Sequence, residues 1–305
     1  RRTGVTVQVP RGIDPGFAHN AGTADPVDGA RALLRQRLDA APPAIVKAAE
    51  DHLDAHIARG DESFKRLVGA AGDPDDPDFP DRLRALVAQA LTTARGAGSE
   101  EAGALPALDT PVHRAAAEAV NAASLRFPAS WVVRGRSVPL KAAGNGQETG
   151  GEYRPPALSG GVEIGKDVAD KPEGEGWTLV SRDPGNALHE YVHHLQYVMP
   201  DIDRLFQQLH RRRTTRPDGT RDPIAGLAPY PSTGREDQYA DEYFGKEYGS
   251  AILERLGYDP DWPAVEVMTR AFQLLFHKLP DYEGTDLDDL VRDDPEMLRL
   301  LLGLL

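Results

Sequence analysis

The sequence of 305 residues predicts a helix-rich α+β fold, on three observations. Apolar residues recur at helical spacing in several segments. Short runs typical of β-strands lie between residues 130 and 181. A further helical run, "NALHEYVHHLQYVM" at 186–199, follows the last of these runs directly. Because 40% of the residues are hydrophobic, the chain can bury the core of one large domain or of two smaller ones.

Two segments are predicted before residue 107. Residues 1–26 are rich in glycine and proline, which predicts an irregular N-terminal segment. A helical region follows over 27–106, and Asp28 is a candidate cap for its first helix. Recurring prolines and repelling carboxylates predict a loop over 72–82. The helices of this region are predicted at about 29–38, 44–59 and 81–95.

The third predicted segment, residues 107–305, contains the sheet and the motif helix. A capped helix is predicted over 109–125, and Pro200 is expected to end the helix over 186–199. The remainder predicts further helices joined by long loops. Strands are predicted at 130–135, 161–166 and 177–181.

Composition and charge exclude several classes of function. A net charge of −13 argues against nucleic-acid binding, and the basic run at 210–221 is interpreted as a solvated surface loop. Since the chain has no cysteine, any metal must be held by His, Asp or Glu. No apolar run approaches the roughly 20 residues that span a bilayer, and no signal peptide is visible. The first residue is Arg1 rather than Met, which favours a fragment of a longer protein.

The most informative motif is His189-Glu190-Tyr191-Val192-His193. On a helix, positions i and i+4 share one face, so His189 and His193 can direct imidazole nitrogens at one metal ion. Glu190 lies about 100° around the helix, where it can act as a general base on water rather than as a ligand. This is the pattern H-E-x-x-H of zinc hydrolases.

Chance rarely produces this pattern. With 9 histidines in 305 residues, a pair at i,i+4 is expected about 0.25 times, and a following glutamate lowers this to roughly 0.02. A second pair, His52 and His56, has Leu53 after the first histidine, and we interpret it as a solvated helix face. The alternative for the motif itself is a histidine-rich but inert helix.

A zinc enzyme usually needs a third protein ligand. Glu266 is the leading candidate, since it opens the strongly apolar helix "EVMTRAFQLLF". A carboxylate on a buried helix needs a compensating cation, which a metal would supply; Arg270 is the competing partner. The other candidates are Asp241, Glu242, His210 and His277.

Tyrosines that precede Glu266 are candidates to stabilise the oxyanion of a tetrahedral intermediate. For each of them, ordinary aromatic packing is the alternative. They are Tyr239, Tyr243, Tyr248 and Tyr258.

Two stretches resemble a family of phage minor-head proteins. The segment "GIDPGFAHNAG" is similar to the P-G-F-x-x-N-P-G segment of head-morphogenesis proteins of the Mu F-like type, with Ala21 in place of the proline. From about residue 187, "ALHEYVHHLQY", "RRRT", "DEYFGKEYG" and "EVMTRAFQLLF" follow the order of motifs in members with a zincin-like metallopeptidase domain. The resemblance covers about half of the chain, and residues 27–186 are interpreted without it.

The resemblance implies a fold and a set of ligands. It implies a zincin-like metallopeptidase fold for the C-terminal domain, whereas the bounds of that domain, 107–305, and the small sheet before the H-E-x-x-H helix are predicted from the residue patterns alone. It also implies Zn²⁺ held by His189, His193 and Glu266, as in the gluzincin-like class, whose third ligand is a glutamate.

The resemblance also bears on the tyrosines. It makes Tyr248, within "GKEYG", the preferred oxyanion-stabilising residue. The step from this tyrosine to the last glutamate is longer here than is usual in the family, so Tyr258 is the alternative.

Residues and resemblance together predict a zinc-dependent peptidase that hydrolyses polypeptides, with Glu190 as general base. Phage head or portal proteins are the expected partners, and the expected location is the virion or the bacterial cytoplasm. A strand such as "GVEIGK" is expected to pair with extended substrate by analogy. One alternative is a virion structural protein that retains a zincin fold with structural metal or none; another is a toxin-like effector carried with the head. Glu190 distinguishes the peptidase from the structural alternative, because a structural metal site needs no general base.

Overall fold

The computed structural model describes most of the chain from residue 43 onward. The predicted N-terminal segment 1–26 and the predicted helix at 29–38 lie outside the described residues. Those residues are 43–95, 111–146, 150–156, 160–164, 167–171, 173–220, 224–227, 232–235, 239–240, 242–248, 266–278 and 285–305.

The first two helices are α1, Pro43–Ala71, and α2, Phe79–Arg95. The loop between them contains the proline-rich acidic stretch, as predicted, although α2 begins slightly earlier than expected. The prediction that α1 ends near residue 59 was wrong, since it continues through Gly60. Gly60 is retained within the helix because a neighbouring helix packs directly against it: a Cβ atom there would lie 1.8 Å from the carbonyl oxygen of Arg299.

Helices α3, Pro111–Ser124, and α4, Ala129–Gly135, precede the sheet. The prediction of a strand at 130–135 was wrong, because these residues form α4. Pro128 precedes the first turn, and its carbonyl accepts a hydrogen bond from the Trp131 N–H at 2.9 Å. Trp131 is buried against aromatic side chains of the core, and this packing outweighs the preference of Trp and Val for strands.

The following strands form a small mixed sheet and a separate hairpin. In the sheet, the order is β1-β5-β2, with β5 parallel to β1 and antiparallel to β2. Strands β3 and β4 pair antiparallel with each other. The predictions of strands at 161–166 and 177–181 are confirmed by β3 and β5. The bounds are β1 Leu140–Gly144, β2 Glu152–Arg154, β3 Gly160–Ile164, β4 Asp167–Lys171 and β5 Gly176–Val180.

The motif helix α5, Pro184–Val198, begins directly after β5. The Asp183 side chain caps it by accepting a hydrogen bond from the Gly185 N–H at 3.0 Å. The predicted stop at Pro200 is confirmed, and the same proline begins helix α6, Pro200–Arg213, where its missing N–H has no cost. A small sheet with the order β6-β7-β8 follows. The remaining elements are β6 Ile224–Leu227, β7 Ser232–Arg235, a 3₁₀ helix Glu242–Gly245, β8 Lys246–Glu247, α7 Glu266–Phe276, α8 Leu287–Arg292 and α9 Pro295–Leu304.

One hydrophobic core joins these elements. Leu53 of α1 and Leu83 of α2 belong to the same buried cluster as Phe272 of α7 and Leu298 of α9. Every residue of α7 is buried, so this helix is central to the described structure. The described elements confirm a helix-rich α+β fold with a small sheet before the motif helix. Among the described helices, none combines the length and the apolar character that crossing a bilayer requires.

Candidate metal centre

Helix α5 presents the two motif histidines on one side. Leu188, Val192 and Leu195 fix this helix in the core, so its rotation about its own axis is determined by packing. The rings of His189 and His193 then lie next to each other, with their centroids 5.0 Å apart. The i,i+4 spacing therefore produces the paired imidazoles that the sequence predicts.

Glu266 completes a three-residue cluster with these histidines. It begins α7, which packs against α5, and its Oε2 lies 3.1 Å from His189 Nε2 and 3.7 Å from His193 Nε2. One potential ligand atom from each residue lies within 4.8 Å of the others. The Glu266 side chain is only 3% exposed. The structure thus brings together residues that are 73 positions apart in sequence, since Glu266 and His193 differ by that number.

Two glutamines orient the imidazole rings. His189 Nδ1 lies 3.2 Å from Gln273 Oε1, and His193 Nδ1 lies 2.8 Å from Gln196 Oε1. Gln196 in turn donates to Asp203 Oδ1 at 2.7 Å. When each Nδ1–H donates to an amide oxygen, the lone pair of the opposite nitrogen, Nε2, points toward the cluster.

Other side chains surround the Glu266 carboxylate. The Tyr248 hydroxyl donates to Glu266 Oε1 at 2.6 Å, and the Thr269 hydroxyl lies 3.1 Å from Oε2. The Lys246 ammonium lies 3.9 Å from Oε1. The competing explanation for Glu266, a pairing with Arg270, gives way to these partners, while Arg270 donates to Gln273 Oε1 at 3.3 Å.

Burial and mutual charge determine protonation in the metal-free chain. Burial disfavours charge on both Glu266 and His189, but their hydrogen bond and attraction outweigh it: the pKa of Glu266 lies well below its usual value and the pKa of His189 is raised. Burial lowers the pKa of His193 to about 4. Burial also lowers the pKa of Lys246, against the attraction of Glu266 and Glu190. His193 is consequently neutral at pH 7, the form that a metal ligand requires.

Glu190 lies beside the cluster, between α5 and the start of β2. Its Oε1 accepts a hydrogen bond from Asn186 Nδ2 at 3.3 Å, and Asn186 Oδ1 accepts from the Ser181 N–H at the end of β5. Gly151 allows this close packing, because a Cβ atom there would lie 2.8 Å from Glu190 Cγ. Burial raises the pKa of Glu190 to about 8. A divalent cation at the neighbouring ligands would lower that pKa and favour the carboxylate.

The alternative third ligands are engaged elsewhere or lie outside the described residues. His210 Nε2 lies 2.8 Å from Glu247 Oε1 and its Nδ1 lies 3.1 Å from the Tyr239 hydroxyl. His277 Nε2 lies 3.4 Å from Asp183 Oδ1. Asp241 and the side chain of Glu242 lie outside the described residues. Tyr258, the alternative oxyanion-stabilising residue, also lies outside them.

The basic run at 210–221 was expected to be a solvated surface loop, but part of it is packed into the structure. Arg213 is almost buried and forms a paired salt bridge with Asp294, with both N–O distances at 2.6 Å. Arg212 contacts Glu50 at 3.0 Å and Glu296 at 2.7 Å. These ion pairs join α6 to α1 and α9, so these two arginines have a structural role.

Three residues of this centre were missed by the sequence reasoning. Gln196 lies one turn after His193, and Gln273 lies two turns after Glu266, so each shares a helix face with a predicted ligand. That spacing was a usable signal. Lys246 lies within "GKEYG", next to the predicted tyrosine, but no pattern in the sequence shows that its ammonium reaches Glu266.

The donor set suits zinc. Two imidazole nitrogens and one carboxylate oxygen are the ligands of many catalytic zinc sites, in which a fourth position takes water or substrate. The outer hydrogen bonds from Gln196 and Gln273 are of the kind that orient such ligands. The chain matches no protein-family model, no curated protein and no solved structure.

Proposed function

We propose that this protein is a zinc-dependent peptidase with a zincin-like domain, in which Glu190 is the general base. The observation that carries the proposal is the convergence of His189, His193 and Glu266, with a buried carboxylate on the residue after the first histidine. Bound Zn²⁺ would polarise the substrate carbonyl and make its water more acidic. The resemblance to phage head-morphogenesis proteins supports a head-associated setting, with head or portal proteins as partners.

The chain's own residues divide the hydrolysis between them. Glu190 accepts a proton as the oxygen of water bonds to the carbonyl carbon of the substrate, and the π electron pair of the carbonyl moves onto its oxygen. The Tyr248 hydroxyl donates a hydrogen bond to that oxyanion. When the pair returns and the C–N bond breaks, Glu190 passes its proton to the leaving nitrogen. Tyr248 must then exchange its hydrogen bond with Glu266 for one with the substrate.

Extended substrate would lie along β2 rather than along β3. The expected pairing of substrate with "GVEIGK" has a competitor, since β3 and β4 form a hairpin separate from the sheet that precedes the motif helix. Strand β2 is at the edge of the β1-β5-β2 sheet, and the residue before it, Gly151, approaches Glu190. An extended peptide that adds to this edge would bring its backbone close to the proposed base.

One observation favours a second candidate, a virion structural protein without bound metal. In the described structure, Glu266 is already compensated by His189 at 3.1 Å and by Tyr248 at 2.6 Å. The cluster is therefore stable as an ion pair without a cation. Such a protein needs no base, however, and a structural role gives no reason for a buried ionisable group at position 190, where an apolar residue would stabilise the core.

Zinc content and proteolysis of the wild type and of Glu190→Gln test the proposal together. An unfolded protein such as casein serves as the general substrate, and the exposed variant Glu118→Gln is the control. We expect about one zinc per chain in all three proteins, with the turnover of Glu190→Gln reduced about 10²- to 10⁴-fold. Absence of zinc from the wild type, or full turnover by Glu190→Gln, would contradict the proposal.

A further inference from the structure

Lys246 is a nearly buried cation at the edge of the metal centre. It lies on β8, and its side chain is 11% exposed. Its ammonium lies 4.5 Å from the ring centroid of Tyr243 and 4.7 Å from that of Tyr248. The two rings hold the ammonium by cation–π attraction, so its position is restricted before any substrate arrives.

The hydrogen bonds of this ammonium are incomplete within the described residues. An ammonium has three N–H donors, and one of them reaches the Tyr243 hydroxyl at 3.1 Å. The distance of 3.9 Å to Glu266 Oε1 is too long for a hydrogen bond. Among the described residues, no other acceptor lies within hydrogen-bond distance of Lys246 Nζ. The ammonium therefore retains donor capacity on the side of the metal centre.

This charge works against metal binding. A cation near a divalent ion repels it, and the repulsion is strong in a buried site because solvent screens it poorly. Metal binding therefore does not explain why a lysine is at this position. A cation that lowers metal affinity is useful where negative charge develops on the substrate during the reaction.

The placement of the donors around Glu266 shows where that negative charge would lie. His189 and His193 face Oε2 of the carboxylate, whereas Tyr248 and Lys246 face Oε1. The tyrosine hydroxyl and the lysine ammonium are thus on the same side of the ligand. Two donors on one side can converge on one oxygen atom.

We propose that Lys246 is a second oxyanion-stabilising residue, which donates a hydrogen bond alongside Tyr248 to the carbonyl oxygen of the scissile bond. This inference rests on the proposed peptidase function. As the carbonyl π pair moves onto oxygen, Lys246 donates a hydrogen bond and keeps its proton. When the pair returns and the C–N bond breaks, that hydrogen bond weakens again. Lys246 is catalytic in this sense because it contacts a reacting atom.

The test compares Lys246→Met with the wild type, with Lys65→Met at an exposed position as the matched control. We expect Lys246→Met to lose about 10²- to 10³-fold in kcat with little change in KM, because the lost interaction forms only in the transition state. Its zinc affinity, measured by competition with a chelator, should equal or exceed that of the wild type. Lys246→Arg, which keeps the charge, should retain more activity than Lys246→Met.

A phosphinic peptide, which is an anionic mimic of the tetrahedral intermediate, gives a second readout. Its affinity should fall in Lys246→Met by about the same factor as kcat/KM, whereas the control should bind it unchanged. If the methionine variant does not fold, Lys246→Gln takes its place.

The outcomes separate this inference from the proposed function. An active wild type with unchanged kcat in Lys246→Met would overturn the role of Lys246 alone. Loss of zinc together with activity would also overturn it, because Lys246 would then position the metal ligands. A wild type that binds zinc but hydrolyses no peptide would overturn both.

Discussion

The protein contains two pairs of histidines at i,i+4 on helices, and they differ in what surrounds them. On α5, His189 and His193 face the buried carboxylate of Glu266 from another helix. On α1, the rings of His52 and His56 are even closer, with centroids 4.5 Å apart. There, however, His56 Nδ1 lies 2.9 Å from the carbonyl oxygen of His52, and the described residues place no carboxylate with them in a three-ligand cluster.

The residue after the first histidine shows the same contrast. In the α1 pair this residue is Leu53, a fully buried part of the core. In the α5 pair it is Glu190, a carboxylate that is only 5% exposed. Burial of leucine stabilises the fold, whereas burial of an ionised carboxylate opposes it. Spacing at i,i+4 therefore creates a possible pair of ligands, whereas a third ligand and a base distinguish a functional centre.

The α1 pair was expected to form a solvated helix face, and this holds for His52 alone. His52 is exposed, but His56 is buried beneath the crossing of α1 and α9. A Cβ atom at Gly303 of α9 would lie 1.9 Å from the carbonyl oxygen of His56. This region therefore has a structural role, and substitutions at the crossing of α1 and α9 can test it.

The largest expected effect concerns the stability of the metal-free protein as a function of pH. Folding raises the pKa of Glu190 from 4.5 to about 8, so the folded chain binds more protons than the unfolded chain between these values. Stability is then lost as pH rises through this window. In chelator at pH 9, Glu190→Gln should be more stable than the wild type by an amount on the order of 5 kcal/mol, and the difference should vanish near pH 4.

Urea unfolding at several pH values measures this difference. The exposed variant Glu118→Gln should follow the wild type at every pH. If the free energy of unfolding depended on pH in the same way for the wild type and Glu190→Gln, Glu190 would not have a raised pKa. Its burial would then not oppose folding, and it would not differ from Leu53 in this respect.

A smaller effect is expected at the helix crossing beside His56. Gly303→Ala should lower the free energy of unfolding by about 3 kcal/mol, because the added methyl group would clash with the backbone of α1, which cannot move independently. Gly69→Ala, at a position of α1 with no atom within 4 Å of the new Cβ, should be neutral or stabilise by up to about 1 kcal/mol. Equal midpoints in urea for both variants would refute the close packing of this region.

The smallest expected effect concerns the hydrogen bonds behind the metal ligands. Gln196→Ala removes the acceptor 2.8 Å from His193 Nδ1 and should weaken zinc binding by about 10- to 100-fold. Gln208→Ala removes a buried glutamine of α6 that contacts Glu50 of α1 rather than a metal ligand, and it should leave zinc affinity unchanged. Chelator competition measures both affinities. An equal loss in the two variants would point to a general effect of stability.

Much of the centre was predictable from the sequence because its parts are local. The helix, the paired histidines and the adjacent glutamate all follow from a five-residue pattern. Glu266 was predictable because a carboxylate that opens an apolar helix needs a partner, and the resemblance supported the same residue. Lys246 was not, since its contact with Glu266 depends on how β8 packs against α7. Packing between distant elements leaves no periodic signal in the sequence.

The fold was predicted less well where tertiary contacts override local preference. Trp131, Val132 and Val133 favour a strand, but Pro128 and the aromatic core place them in α4. Strand β1, "LKAAG", consists of residues with weak strand preference and was missed, because its pairing with β5 determines its conformation. Helix α1 was predicted to end near residue 59, whereas it continues through Gly60, which packs against α9.

Zinc titration of three proteins decides whether Glu266 completes the metal site: the wild type, Glu266→Ala, and the double variant His52→Ala/His56→Ala. We expect one zinc per wild-type chain, an affinity about 1000-fold lower in Glu266→Ala, and no change in the double variant; loss of a ligand should exceed the 10- to 100-fold effect of an outer-shell partner. Zinc binding that survives Glu266→Ala unchanged, or that disappears with the α1 pair, would contradict the account.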